Sequence, residues 1–408
     1  MEIHLIYQIE IENFYSVRQK QVIDLRAGQK VPDEQGRLVP IFPGSAERAP
    51  RVVAIYGANA SGKSNVLRAI AFISWFVQHS FQHRAQAILP YQKFMTQSAF
   101  VDPTHLKISF AGSEDPTDEG STKTCPYTYS VEMSGRDAEN RERILSESLH
   151  YKPSGSSRMV RIFERDFAGN VKAADWLGLG KERAVLESIL RPNSSIISTL
   201  GQLNNRFALQ LIQAASMIET NILITRFTAD EHDLLTNYAT DEDLLDSLNR
   251  DIRRVDLGID AMSIIAENGA PVATFSHAGL DAPVRMMFES HGTQEFVRIY
   301  PTIYRALRNG GIAVLDEMDT AIHPTLLPEI LRWFSDPDRN PYGAQLFMSC
   351  HAVSLLSDLL KEEVLFCDKD SSGSTRIYSL TDIRGIRRDE NFMANYLGGV
   401  YGGVPVVG

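Results

Sequence analysis

The stretch Gly57-Ala58-Asn59-Ala60-Ser61-Gly62-Lys63-Ser64 constrains this chain more than any other. It follows the apolar run Val52-Val53-Ala54-Ile55-Tyr56 and leads into Asn65 to Ile73, where apolar positions recur at helical spacing. Strand, glycine loop and helix therefore stand in the order that a phosphate-binding turn requires. Gly57 and Gly62 let backbone N–H groups wrap phosphate oxygens, and the following helix presents the positive end of its dipole. Lys63 supplies a mobile cation for the β and γ phosphates, and the Ser64 hydroxyl a ligand for magnesium. Asn59, Ser61 and Asn65 belong to the same cradle. The implied ligand is a nucleoside triphosphate.

What surrounds this loop narrows the class of protein. The chain has 408 residues, enough for two lobes, and 43% hydrophobic with 23% charged residues is the composition of a globular protein. A net charge of −10 argues against coating nucleic acid by charge alone, so a nucleic-acid role would need a local basic face or a partner. Three cysteines, Cys125, Cys350 and Cys367, show no paired spacing, which suggests neither a disulfide framework nor a zinc site and fits a reducing cytoplasm. Acids at Glu2, Glu10 and Glu12 break the order expected of a signal peptide, and no apolar run reaches the ~18 residues that cross a bilayer. The expected location is cytoplasmic, without a membrane.

Along the chain, residues 3–25 read as two strands joined by a turn at Asn13 to Ser16, and a Gly/Pro-rich loop follows to Pro50. A helix should run from the phosphate loop to about Phe81. Leu106 to Phe110 and Tyr127 to Met133 read as a hairpin whose polar tip spans Gly112 to Lys123, with further strands at Ile144 to Tyr151 and Arg158 to Glu164. From Ala174 to about Asp256, leucines and isoleucines at helical spacing, broken at Pro192 and Gly201, predict a compact helical insertion rather than a coiled coil. Val272 to Phe275 and Val284 to Phe288 read as another hairpin, after which strands and helices alternate.

The second half carries the remaining candidates. Ile312-Ala313-Val314-Leu315-Asp316-Glu317 is a buried parallel strand by its run of apolar residues, with two carboxylates at its C-terminal tip. Asp316 is placed to serve the magnesium shell and Glu317 to act as general base on water. A second strand, Gln345 to Ser349, sets His351 at its tip, where a donor could meet a γ-phosphate. Glu289-Ser290-His291-Gly292-Thr293-Gln294, before a helical run from Phe296 to Leu307, makes a second anion-binding turn. Two such turns far apart in one chain suggest a nucleotide held between two copies.

Taken in order, the loop 57–64, the turn 289–294, Leu315-Asp316-Glu317, Asp319 with His323-Pro324, and His351 resemble the ABC-type ATPases of the SMC/RecF-like superfamily. More closely, they resemble the small AAA-annotated ATPases of bacterial abortive-infection and anti-phage systems, relatives of the ATPase half of the OLD nucleases. The Gly-rich stretch from Asn395 to Pro405 resembles that group too. The resemblance covers residues 1–110 and 270–408. It implies an α/β fold, an ABC-type P-loop NTPase head with an N-terminal antiparallel β subdomain and a compact helical insertion. Residues 1–165 would form lobe I, 166–270 the insertion, and 271–408 lobe II with signature, Walker B strand and switch histidine. It further implies ATP and Mg2+ as ligands, held by Lys63 and Ser64 of one subunit and closed over by Ser290 and Gly292 of another, in a homodimer or higher even-numbered oligomer. Asp319 would match the aspartate that communicates across that interface, and Gln92 the glutamine that senses magnesium. His291 and Thr293 depart from the usual signature.

Two functions compete. The first is an ATPase serving as sensor or scaffold for a separate toxic effector, a nuclease, in anti-phage defence, since the chain holds ATP machinery without the paired acidic clusters of a two-metal nuclease. The second is a RecF-like repair ATPase that clamps DNA, with Arg136, Arg141, Arg143, Arg158, Arg161 and Arg165 lining a face, although Glu139, Glu142 and Glu164 interrupt it. A transporter subunit is the third and least favoured reading.

Overall fold

In the computed structural model the described residues are all except 1–4, 34–35, 86, 114–123, 137–140, 154–155, 157, 181, 228–229, 256–257, 321, 323–325 and 405–408. The tip of the expected hairpin, His323-Pro324 and Pro405 lie outside the described residues.

Two sheets organise the chain. The central sheet has six strands in the order Ile218–Thr220, Ile312–Leu315, Gln345–Ser349, Val52–Tyr56, Val364–Lys369 and Thr375–Ser379. All neighbours are parallel except the last pair, which forms a hairpin. A parallel strand covered on both faces is apolar at nearly every position, and Val52–Tyr56, Ile312–Leu315 and Gln345–Ser349 are buried throughout, with Gln345 and Ser349 hydrogen-bonded at the ends of the last. Successive side chains go to opposite faces. Val53, Ile55, Val314 and Phe347 join one core, while Val52, Ala54, Tyr56, Leu315, Leu346 and Met348 join the other.

The first core lies between the central sheet and a seven-stranded antiparallel sheet, built from Leu5–Glu12, Gln21–Asp24 and the meander Thr104–Ser113, Thr124–Met133, Ile144–Tyr151, Val160–Arg165 and Val171–Ala173. In Thr124–Met133 buried residues alternate strictly with half-buried ones, the period-two pattern of a sheet with one face on the core. This is the antiparallel β subdomain expected at the N-terminal end. Helix Lys63–His79 fills the space between the sheets through Val66, Leu67, Ile70, Phe72 and Phe76. Together the chain is a mixed α/β fold built on a P-loop strand and helix.

The segment 166–270 is not a self-contained helical unit. Helices Ile196–Gln202 and Arg206–Ser216 pack into the first core with helix Lys63–His79. Helices Glu231–Thr240 and Glu242–Val255 pack into the second, with helix His291–Asn309 and a three-stranded sheet of Ile259–Glu267, Ala270–His277 and Val284–Arg285. Between the two pairs, Ile218–Thr220 forms the edge strand of the central sheet. A three-residue strand is too short to reveal a period, which is why the segment reads as helical throughout. The apolar stripes of these helices face two different cores.

Candidate functional site

The phosphate loop is built by conformations that only its residues allow. Gly57 and Gly62 have φ of +150° and +105°, and a Cβ at Gly57 would stand 2.3 Å from the Cys367 carbonyl oxygen. Gly62 is the N-cap of helix Lys63–His79 and offers no side-chain oxygen to the helix's first N–H groups, which leaves that end open to an anion. Lys63 Nζ donates to the carbonyl oxygens of Gly57 at 2.9 Å and Ala58 at 3.1 Å. Burial holds its ammonium below the usual value, partly offset by Asp316 and Glu317 nearby.

Sheet order explains what faces this loop. Strand Gln345–Ser349 lies between the phosphate-loop strand and Ile312–Leu315, pairing Ser349 with Ile55 and Met348 with Leu315. One position further, Asp316 comes beside Ser349. The Ser349 hydroxyl, fully buried, donates to Asp316 Oδ1 at 2.7 Å and accepts from the Glu317 N–H at 2.7 Å. Ser64 donates to the same carboxylate oxygen at 2.9 Å. Asn221, just past the edge strand, receives the Asp316 N–H at 2.8 Å and donates to its carbonyl at 3.1 Å. Asp316 is thereby fixed from three sides. Glu317 turns into the left-handed region with φ of +53°, unusual for a residue with a side chain, and Ser349 holds it there.

A cleft of 310 Å³ results, and its lining includes Asn59, Gly62, Lys63, Ser64, Asn65, Glu317 and His351, so seven sequence candidates share one space. Gly57 and Ser61 form the loop behind it, and Asp316 meets it through Ser64. Four candidates stand elsewhere. Gln92 is exposed and touches the region only by its carbonyl, which accepts from Tyr15 N. Asp319 accepts from the backbone N–H groups of His351 and Ala352, so it orders the loop that carries His351. Ser290 is exposed and caps helix His291–Asn309, accepting from Thr293 N at 3.1 Å; neither it nor Gly292 lines the cleft of its own chain.

Sequence reasoning missed several residues of the site. Ser16, in the turn after the first strand, accepts from Asn65 Nδ2 at 2.6 Å and bonds the Thr375 hydroxyl at 2.6 Å, while Thr375 donates to the Ser61 carbonyl at 2.8 Å. Arg68 lines the cleft, donates to Asn65 Oδ1 and lies 4.9 Å over the Tyr15 ring. Ser349, Asn221 and Arg226 complete the carboxylate side, Arg226 pairing with Glu317 at 3.0 Å. Only Ser349 left a signal in the sequence, as the last residue of the strand that delivers His351. The rest come from positions joined by topology alone.

The donors present suit magnesium. The Ser64 hydroxyl and the Asp316 carboxylate form a hard oxygen pair of the kind that magnesium takes. Among the described residues no helix is long and apolar enough to cross a membrane.

A family model described as "AAA domain, putative AbiEii toxin, Type IV TA system" matches residues 52–357. No curated protein matches the chain. Among solved structures, an SMC head bound to the C-winged helix domain of ScpA shares 14% identity, with 92% of this chain and 97% of that one covered and a TM-score of 0.44. The SMC head domain from Thermotoga maritima shares 11%, with 93% and 99% covered and a TM-score of 0.42. An Smc head with an extended coiled coil, bound to the C-terminal domain of ScpA derived from Pyrococcus furiosus, shares 12%, with 92% and 96% covered and a TM-score of 0.44.

Proposed function

The chain belongs to the AbiEii-type AAA-domain family, and on that premise we propose that it binds and hydrolyses ATP with Mg2+, closing over the nucleotide with a second copy of itself. In this reading it is the sensor and scaffold for a separate toxic effector, a nuclease encoded nearby, in bacterial anti-phage defence. The observation that carries the ATPase reading is the meeting of Lys63, Ser64, Glu317 and His351 in one cleft, with Asp316 bonded to Ser64 behind them.

Lys63 exchanges its carbonyl partners for β and γ phosphate oxygens, and the open end of helix Lys63–His79 receives the phosphate chain. Ser64 and Asp316 would hold magnesium, which when bound would supply positive charge against the phosphoryl oxygens. Glu317 orients the attacking water and takes its proton, and His351 donates to the γ-phosphate. Ser290 and Gly292, which do not line their own cleft, act on that of the other copy. The exposure of Ser290, outside the lining of its own cleft, supports this arrangement.

The repair reading draws less support from the fold. Of the six arginines offered for DNA, Arg165 is buried and donates to the Ser194 and Arg191 carbonyls, Arg136 pairs with Glu142, and Arg161 pairs with Glu164. The test is to purify the chain with its neighbouring gene products in MgATP, measure phosphate release and identify what stays bound. A stoichiometric nuclease-like partner and steady hydrolysis are expected; ATP turnover without any partner would remove the scaffold role, and no turnover would remove the enzyme.

A further inference from the structure

The Glu317 carboxylate is tied to the turn that a second copy would engage. Arg226 Nη1 donates to Glu317 Oε2 at 3.0 Å, while its Nη2 reaches Glu295 Oε2 at 3.3 Å. Glu295 in turn accepts from Arg298 at 3.0 Å. Glu295 stands five residues after Ser290, in the first turns of helix His291–Asn309, so a single guanidinium joins the tip of the acidic strand to the start of that helix. Arg226 itself comes from the loop after the edge strand, anchored where Ile222 and Arg226 form an isolated bridge and Phe227 N bonds the Asn221 carbonyl at 2.8 Å. The same loop holds Asp316 through Asn221.

Resting on the ATPase reading, we propose that Arg226 is a positioning residue that restrains Glu317 and couples the nucleotide cleft to helix His291–Asn309. The bond to Oε2 fixes the direction of the Glu317 carboxylate, so turning it toward a water has to break that contact. The two Nη atoms of the planar fork reach two carboxylates on different elements in a fixed geometry, a span that the compact ammonium of a lysine does not reproduce. When nucleotide turns the Glu317 carboxylate toward the phosphates, the guanidinium is left to Glu295 alone and the start of the helix, with Ser290 on it, readjusts. Conversely, a second copy pressing on Ser290 shifts Glu295, takes Arg226 with it and frees Glu317. Closure and water activation are thus one event, which suits a protein that must stay silent until it has assembled.

The experiment compares the wild-type chain with Arg226→Ala and Arg226→Lys. Glu295 keeps Arg298 in both, so neither strands a half-buried carboxylate. Deuterium uptake is read with and without a non-hydrolysable ATP analogue. In the wild type, uptake should change both at 57–66 and at 291–300; in both variants the change at 57–66 persists and that at 291–300 is lost. Turnover at dilute protein should rise about 3-fold or more in Arg226→Ala with KM unchanged, because the restraint is gone before a partner arrives. A response at 291–300 that survives in Arg226→Ala, or turnover that stays level or falls, overturns the coupling. No response at 57–66 in the wild type overturns the nucleotide site itself and the coupling with it.

Discussion

Replacing Ser349 with alanine tests the carboxylate side of the cleft through one oxygen atom. The Ser349 hydroxyl is fully buried, donates to Asp316 Oδ1 at 2.7 Å and accepts from Glu317 N at 2.7 Å. A hydrogen bond to a charged group contributes about 1.5–3 kcal/mol and a neutral one about 1 kcal/mol, and a buried N–H left without a partner bears its desolvation in full. Asp316 keeps Ser64 and Asn221, which holds the loss toward the lower end. Ser349→Ala should therefore cost about 2–3 kcal/mol with little cavity term, since only an oxygen is removed. It also releases the strained turn at Glu317, so kcat should drop at least tenfold, a loss of about 1.4 kcal/mol in transition-state binding. Urea unfolding read by fluorescence and by circular dichroism gives the stability, and phosphate release gives the rate. A double cycle with Asp316→Asn should show a coupling above about 0.5 kcal/mol. A cost below about 0.5 kcal/mol with full activity would refute the bridging role of Ser349.

Other perturbations bear on separate links of the account. Lys63→Ala should abolish the ATP-dependent rise in melting temperature seen in the wild type while leaving the nucleotide-free melting point near its original value; a retained ATP shift would remove Lys63 from the site. Gly62→Ala forces a Cβ to within 2.3 Å of Thr375 Oγ1 and 2.9 Å of Ser16 Oγ at a φ of +105°, so titration calorimetry should find ATP affinity at least tenfold weaker. Burial lowers the Lys93 ammonium to about 8, although its Nζ donates to the Asp102 carbonyl and to Thr104. The folded chain then gives up this proton before the unfolded chain does at 10.5, so its contribution to stability is present above 10.5 and lost as pH falls through 8. Wild-type stability should rise relative to Lys93→Met between pH 8 and 10.5, and parallel urea midpoints across that range would show that Lys93 is not the cause.

How much of this was legible in the sequence depends on whether the signal is local. The phosphate loop, its strand and its helix are contiguous, and periodicity alone places helix Lys63–His79 within two residues of the expected end at Phe81. The strand Ile312–Leu315 and the meander from Thr104 to Arg165 follow from apolar runs and strict alternation. Ser349 beside Asp316 does not, because it depends on the strand order of the central sheet, which no spacing records. Ser16 with Thr375, and Arg226 with Glu317, lie 359 and 91 residues apart and meet only in the fold. Strand Ile259–Glu267 was missed for a different reason: its burial pattern does not alternate cleanly, so period two is hidden. Gln92 shows the limit of carrying a role over by position, since its side chain lies on the surface and not in the cleft.

In the proposed cycle, ATP bound by Lys63 and Ser64 of one chain is closed over by Ser290 of another, and hydrolysis with Glu317 as base opens the complex. The most direct measurement is the mass of the Glu317→Gln protein in solution with MgATP, with ADP and without nucleotide. A stable dimer holding two ATP molecules is expected, seen only with MgATP and lost in the added variant Ser290→Arg while nucleotide binding persists. A Glu317→Gln protein that binds ATP yet keeps a monomer's mass at every nucleotide would contradict it.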